Sequence, residues 1–243
     1  MKTTLTFLFI IIFNAANAQL KFEELKQKIS AFETVQEFDS LITSKYIKER
    51  NAFLVYYEFK RPVDSGYQQN RITIDDYIKI NFLSKNGKLM FGWISKFDSY
   101  NEKIKHTEEI KPAQNKIKSY IKIHNSLYNS QLTEKELKTQ ILAEYVVGFG
   151  CGYSGSSISD ESSKMMKYVK RKDIESLNKW LTAFSPELQA LGTIGLIQLG
   201  EINETQSQII ERLKTRNTTI SNCMGCTYSY DTEFNKLIEI YSE

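Results

Sequence analysis

The spacing of the apolar residues changes twice along this chain, and that change constrains the fold more than any motif does. In residues 51–98, Phe53, Val55, Tyr57 and Phe59 alternate with less apolar neighbours, as do Ile72 and Ile74, then Ile78, Ile80 and Phe82, then Leu89, Phe91 and Trp93. Period two with aromatic and β-branched residues marks strands whose alternate side chains share one face. Asn86-Gly87 separates the last two runs and tolerates the positive φ angles of a tight hairpin turn. Asp75-Asp76 predicts a bend or bulge, and Pro62, Asp64 and Gly66 a loop after the first strand. The region is therefore expected to be an antiparallel meander of at least three strands.

On both sides the period is that of helices. Phe22, Leu25, Ile29, Phe32, Val35, Phe38, Leu41 and Ile42 recur at steps of three and four, and Thr34-x-x-Glu37 has the spacing of a capping box that divides the segment in two. Ile117, Tyr120, Ile121, His124, Leu127 and Tyr128 share one helical face. Thr133-x-x-Glu136 opens a further helix burying Leu137, Ile141, Leu142, Tyr145 and Val146, expected to end at Gly148 and Gly150. Beyond the turn-rich residues 150–163, helices are expected near 163–170, 173–184, 186–199, 205–215 and 231–241. Ser185-Pro186 and Thr205-x-x-Gln208 serve as their start signals and Gly200 as a stop. The fold class is α+β: N-terminal helices with an antiparallel β-meander, then a mainly α-helical C-terminal half. The expected division is residues 1–18, 19–150 and 151–243.

Residues 1–18 read as an export signal. Lys2 precedes the apolar run Leu5 to Phe13, and Ala16-Asn17-Ala18 has the small-x-small pattern of a cleavage site. The run is shorter than the roughly 20 residues a membrane span needs, and no cysteine follows it to carry a lipid. The signal is short, of bacterial type, and directs the chain to the periplasm or outside the cell. Its removal takes away Lys2 and no acid, so the net charge falls from +3 to +2. A balance that near neutral excludes nucleic acid as the expected partner. No later stretch is apolar enough to span a membrane.

The segment Pro186-Glu-Leu-Gln-Ala190-Leu-Gly-Thr-Ile-Gly195-Leu-Ile-Gln-Leu-Gly200, following a helix of similar length, resembles the second helix of a HEAT-type repeat. The resemblance covers about residues 173–215. Ala190, Gly192 and Gly195 would let neighbouring helices approach closely. A stable solenoid takes about three units, and one is present. The resemblance implies a protein-binding or scaffolding role, with another envelope or secreted protein as partner.

Cys151, Cys223 and Cys226 are the disulfide or redox candidates. Cys223-Met-Gly-Cys226 can close a short redox disulfide or supply half of a metal site. The redox chemistry favours a first cysteine at a helix N-terminus, and here the next helix begins only near Asp231. A structural disulfide in an oxidising compartment is the preferred reading, and three cysteines leave the connectivity open. His106 and His124 are far in sequence from these thiols, so no metal is expected. Gly150-Cys-Gly152-Tyr-Ser-Gly155 matches G-x-G-x-x-G, but the dinucleotide reading needs a strand before it, and the preceding segment has helical spacing. No cofactor is expected.

Nucleophilic catalysis at Cys151 or Ser154 lacks a downstream histidine, and the caspase cysteine signature is absent. His124 falls on an apolar helix face, where a packed, hydrogen-bonded role is the expectation. Asp75-Asp76 and Glu108-Glu109 are paired acids of the kind that can do acid/base chemistry, but extended backbone would point Asp75 and Asp76 to opposite faces, and a solvated bend is the expectation. The lysines of 103–122 and Lys170-Arg171-Lys172 read as solvated faces, and Trp93 as a strand core residue. The function these readings favour is non-enzymatic binding, with thiol–disulfide exchange at Cys223 and Cys226 as the alternative.

Overall fold

The computed structural model describes residues 22–44, 54–98, 103–200 and 202–242, apart from Asp76, Tyr153 and Ser156. Residues 1–18, read above as an export signal, lie outside the described residues. The chain is α+β and divides into two compact units. The first comprises residues 1–57 and 71–113, the second residues 58–70 and 114–243. The expected boundary after residue 150 falls inside the second unit.

The first unit begins with a helix at residues 22–30 (α1) and a second at Val35–Thr43 (α2). Glu37 accepts from the Thr34 backbone N–H and hydroxyl at 2.8 Å, so the capping-box spacing marks the break between the helices. Five strands follow: β1 (Val55–Pro62), β2 (Tyr67–Ile74), β3 (Ile78–Lys85), β4 (Lys88–Asp98) and β5 (Lys103–Glu109). They lie in the sheet in chain order. Asn86 and Gly87 carry φ of 51° and 73°, as a two-residue hairpin turn requires, and Asp75, at φ 49°, takes the bend between β2 and β3. β5 was not legible, because apart from Ile104 and Thr107 its residues are lysines, His106 and acids, held at the edge of β4 by backbone pairing. Phe22, Leu25, Ile29, Phe38 and Leu41 of the two helices meet Ile72, Ile80, Phe82 and Ile94 of the sheet in one core.

The second unit contains the tip of the β1–β2 hairpin and the rest of the chain. Its helices are α3 (Gln114–Tyr128), α4 (Glu134–Leu142), α5 (Asp160–Arg171), α6 (Ile174–Leu181), α7 (Pro186–Leu199), α8 (Glu204–Thr215) and α9 (Phe234–Ser242). Three expectations are corrected here. The helix expected to run to Gly148 stops at Leu142, and Val147–Cys151 is a strand, β6. Val146-Val147 followed by Gly148 and Gly150 suits extended backbone better than helix, since β-branched residues and glycine both disfavour the latter. The residues before the last helix form two more strands, β7 (Thr219–Gly225) and β8 (Thr227–Glu233). β6 pairs parallel to β7, and β7 antiparallel to β8. Finally, α8 is capped by Asn203, whose carboxamide oxygen accepts from the Gln206 N–H at 2.9 Å, and not by Thr205.

Helix α7 is the centre of this unit. Its residues Pro186 to Leu196 are all buried, as expected of a helix apolar on every side. A methyl group at Gly192 would stand 2.4 Å from the Leu181 backbone nitrogen and 2.9 Å from the Leu177 carbonyl oxygen. The glycine is what lets α7 lie against the backbone of α6. Gly192→Ala gains about 1 kcal/mol of helix propensity, but overpacking against backbone costs about 1–3 kcal/mol. A net loss of stability is expected in urea unfolding, whereas the same change at a solvent-facing helix glycine would stabilise.

Candidate functional site

Asp64 sits at the tip of the β1–β2 hairpin, in a short 3-10 turn spanning Asp64–Gly66. Ser65 and Gly66 hold positive φ angles of 52° and 76°, which reverse the chain and turn the Asp64 side chain inward. Its carboxylate is 4 % exposed and collects donors from one helix, α3, and from the residue after a second, α8. The His124 Nδ1–H donates to Oδ2 at 2.6 Å. The Tyr128 hydroxyl and Arg216 Nη1 donate to Oδ1, the latter at 3.1 Å. The Tyr120 hydroxyl stands 3.4 Å from Oδ2. Burial pushes the Asp64 carboxyl up, but His124, Arg216 and Tyr128 together override it and hold it below the ordinary carboxylate range. Burial and the Asp64 charge push the Tyr128 hydroxyl up, which keeps it a donor.

An aspartate–histidine pair invites a catalytic reading, and its second hydrogen bond argues against one. The His124 Nε2–H donates to the Thr182 carbonyl at 3.0 Å. Both ring nitrogens are engaged by acceptors of the protein itself, so neither is turned to a substrate as a catalytic base would be. The ring is fully buried and lies 4.2 Å, centroid to centroid, from Phe184. The expectation of a packed, hydrogen-bonded His124 matches this environment.

A second buried pair lies in the same unit. Arg61 grips Glu187 with both terminal nitrogens, Nη2 at 3.1 Å, and also donates to Gln69 and to the Thr219 carbonyl. Glu187 further accepts from Ser185 Oγ at 2.8 Å and the Ser221 N–H at 3.0 Å. Burial would raise its carboxyl, but Arg61 and these donors bring it down to about 2. No motif announced Asp64, Arg61, Glu187 or Arg216.

Beside Asp64 a cleft of about 370 Å³ opens between the hairpin tip, the end of α3 and the end of α8. A smaller cleft of about 150 Å³ adjoins it and shares Leu127, Tyr128 and Arg212 with it. Thr205, Gln208, Ile209, Arg212 and Arg216 recur at steps of three and four along and just past α8, so one stripe of the chain lines both. Asp64 is the one acid among the lining residues, and its charge is taken up by Arg216 and His124. Arg212 is exposed and has no ion-pair partner among the described residues.

Cys151, at the end of β6, is bonded to Cys223 in β7. Cys226 lies in the turn between β7 and β8, exposed and unbonded. G-x-G-x-x-G opens inside a strand, β6, where the sequence pattern leads to the expectation of a helix. However, α5 begins only at Asp160 and carries Asp160 and Glu161 in its first turn, which repel a phosphate. Among the described residues no three of His, Cys, Asp and Glu converge on a metal-sized site. Glu108 is held by Lys26 and His106, and Asp75 accepts from the Leu54 N–H at 2.9 Å. Asp76 lies outside the described residues. Lys111 donates to the Phe32 carbonyl and pairs with Glu33. Lys170 and Arg171 close the last turn of α5, where they complement the helix dipole. Trp93 is 1 % exposed and belongs to the interior of β4. Among the described residues no helix is long and apolar enough to cross a membrane.

Family models, curated proteins and solved structures were compared with the chain, and none matches it.

Proposed function

We propose that this chain is an exported, non-enzymatic binding protein whose working surface is the cleft along α8. One observation carries the reading. The one buried aspartate–histidine pair in the second unit is closed on both sides by hydrogen bonds, while the cleft beside it stays open and exposes an unpaired arginine. Charge sealed in this way holds the hairpin tip in place as a scaffold, and the open surface is left for a partner. The resemblance of residues 173–215, which include α8, to a HEAT-type repeat supports the same reading, because proteins of that type act by binding other proteins.

A photo-crosslinking residue at Gln208, on the cleft lip, tests this in the envelope and secreted fractions of the source organism. The expected result is one discrete adduct, lost when Leu127 is changed to Asp. Equal labelling at Gln208 and at a control position on the exposed side of α5 would remove the support. Export predicts a mature N-terminus at Gln19, read by mass spectrometry of the protein from its native compartment.

Thiol–disulfide exchange is the second reading, favoured by an exposed thiol three residues from a bonded cysteine. The Cys226 thiolate would attack Cys223 Sγ, forming a Cys223–Cys226 bond. Cys151 would leave as a thiolate and take up the proton, with no net oxidation. Non-reducing peptide mapping after mild dithiothreitol separates the two readings: a Cys151–Cys223 peptide that persists argues for a structural bond.

A further inference from the structure

We infer that the α8 cleft receives a carboxylate-bearing peptide segment of the partner, held by Arg212 and Arg216; this rests on the binding reading above and names the chemistry of that same surface.

Three features of the cleft point to an anion. Arg212 lines both clefts and has no ion-pair partner among the described residues, so a full positive charge stands at their junction. Arg216 lies deeper, with a side chain only 8 % exposed. Its terminal nitrogens are committed to Asp64, to the Tyr128 hydroxyl and to Gln189 Oε1, the last at 2.7 Å. Its Nε–H is buried without an acceptor, and a buried donor left so costs about 1–3 kcal/mol. Arg216 lines the larger cleft, so a shift of its side chain toward a bound acceptor would relieve that cost. The only acid in the wall, Asp64, is already neutralised by its own partners, so it does not repel an incoming carboxylate.

The shape and the remaining chemistry select a peptide over other anions. The two clefts share Leu127, Tyr128 and Arg212 as walls, which suits a segment reaching across both more than a compact ion. Leu127 and Ile209 supply apolar contact, while Ser65, Ser126 and Gln208 supply side chains that both donate and accept hydrogen bonds, matching a main chain with spaced side chains. An acidic glycan would want an exposed aromatic face for its rings. The only aromatic residue in the lining is Tyr128, which is 1 % exposed with its hydroxyl bound to Asp64. Nucleic acid would want a longer track of cations than two arginines.

The test is fluorescence anisotropy with a labelled peptide of alternating Glu and Leu, at low salt, on the whole chain with the Cys151–Cys223 bond intact. Competitors are the matching Gln-Leu peptide, polygalacturonate and inorganic phosphate. The acidic peptide is expected to bind saturably and the Gln-Leu peptide not to compete. Arg212→Gln should weaken binding about ten- to a hundredfold, as loss of a charge-assisted hydrogen bond does. Arg212 is exposed, so this variant folds normally, and an unchanged melting curve confirms that. Arg212→Lys should recover part of the affinity. Binding that is indifferent to Arg212, or displaced by polygalacturonate or phosphate as readily as by unlabelled acidic peptide, overturns the inference. If the crosslinked partner is found but acidic peptide does not bind, this inference falls and the binding reading stands. If the peptide binds through Arg212 but no adduct forms, the protein-partner reading falls and the carboxylate site stands.

Discussion

Asp64→Asn is expected to lower the unfolding free energy by about 3–5 kcal/mol, the usual cost of removing one partner from a buried ion pair. The carboxylate is what compensates Arg216 and accepts from the His124 ring, both sealed among α3, α7 and the residue after α8. An amide keeps the shape but not the charge, and its NH₂ group would point a donor at a donor. Urea unfolding of the two proteins at pH 7 measures the difference; a loss under about 1 kcal/mol would mean that the cluster is decoration and not a clamp. The substitution also acts on pH dependence. The folded carboxyl of Asp64 is depressed below its unfolded value, so its contribution is complete above the ordinary carboxylate range. It is lost as the pH falls toward the folded value. Glu187, brought down to about 2, behaves in the same way. Stability of the native chain should therefore decline from about pH 4.5 downward, and Asp64→Asn should flatten that decline while lowering the plateau.

The same cluster shows which parts of the molecule could be read from the residues alone. Elements built on local rules were legible. The capping boxes at Thr34 and Thr133, the Asn86-Gly87 turn and the Ser185-Pro186 start of α7 depend on neighbours within four residues, and each sits where its spacing predicts. Gly192 and Gly195 in the stretch from Ala190 foretold close helix approach, because the reason for them is local volume. What failed was structure that depends on distant pairing. β6 is five residues long and finds its partner some 70 residues later, so its valines and glycines read as the end of a helix. β7 and β8 are rich in Thr, Ser, Asn and Tyr, and only pairing makes them strands. The site failed for the same reason. Asp64 and Arg216 are separated by 152 residues, and a lone aspartate in a hairpin loop looks like any turn residue. His124 gave half the signal, a histidine on an apolar face, but not its partner.

Loss of the Cys151–Cys223 bond should be the other large effect. The two cysteines are 72 residues apart, and closing a loop of that length removes about 4 kcal/mol of chain entropy from the unfolded state. The loop contains α5, α6, α7 and α8, which form most of the second core. The bond joins the end of β6 to β7, where the two strands run parallel, and Gly148 makes room for it. A methyl group there would stand 2.4 Å from Cys151 Sγ. Cys151→Ser and Cys223→Ser should each cost about 4 kcal/mol in urea unfolding, and reduction of the native chain should cost the same. Cys226→Ser should cost nothing, since that thiol is exposed and unbonded. The contrast identifies the pairing as well as the energy. A short Cys223–Cys226 bridge would close a loop of only a few residues, constrain the unfolded chain far less, and make Cys226→Ser as costly as Cys223→Ser while sparing Cys151→Ser. Equal, large losses at Cys151 and Cys223 together with a silent Cys226 therefore support a structural staple, and they leave exchange to Cys226 as an uphill step, because the bond it forms stabilises the fold less than the bond it breaks.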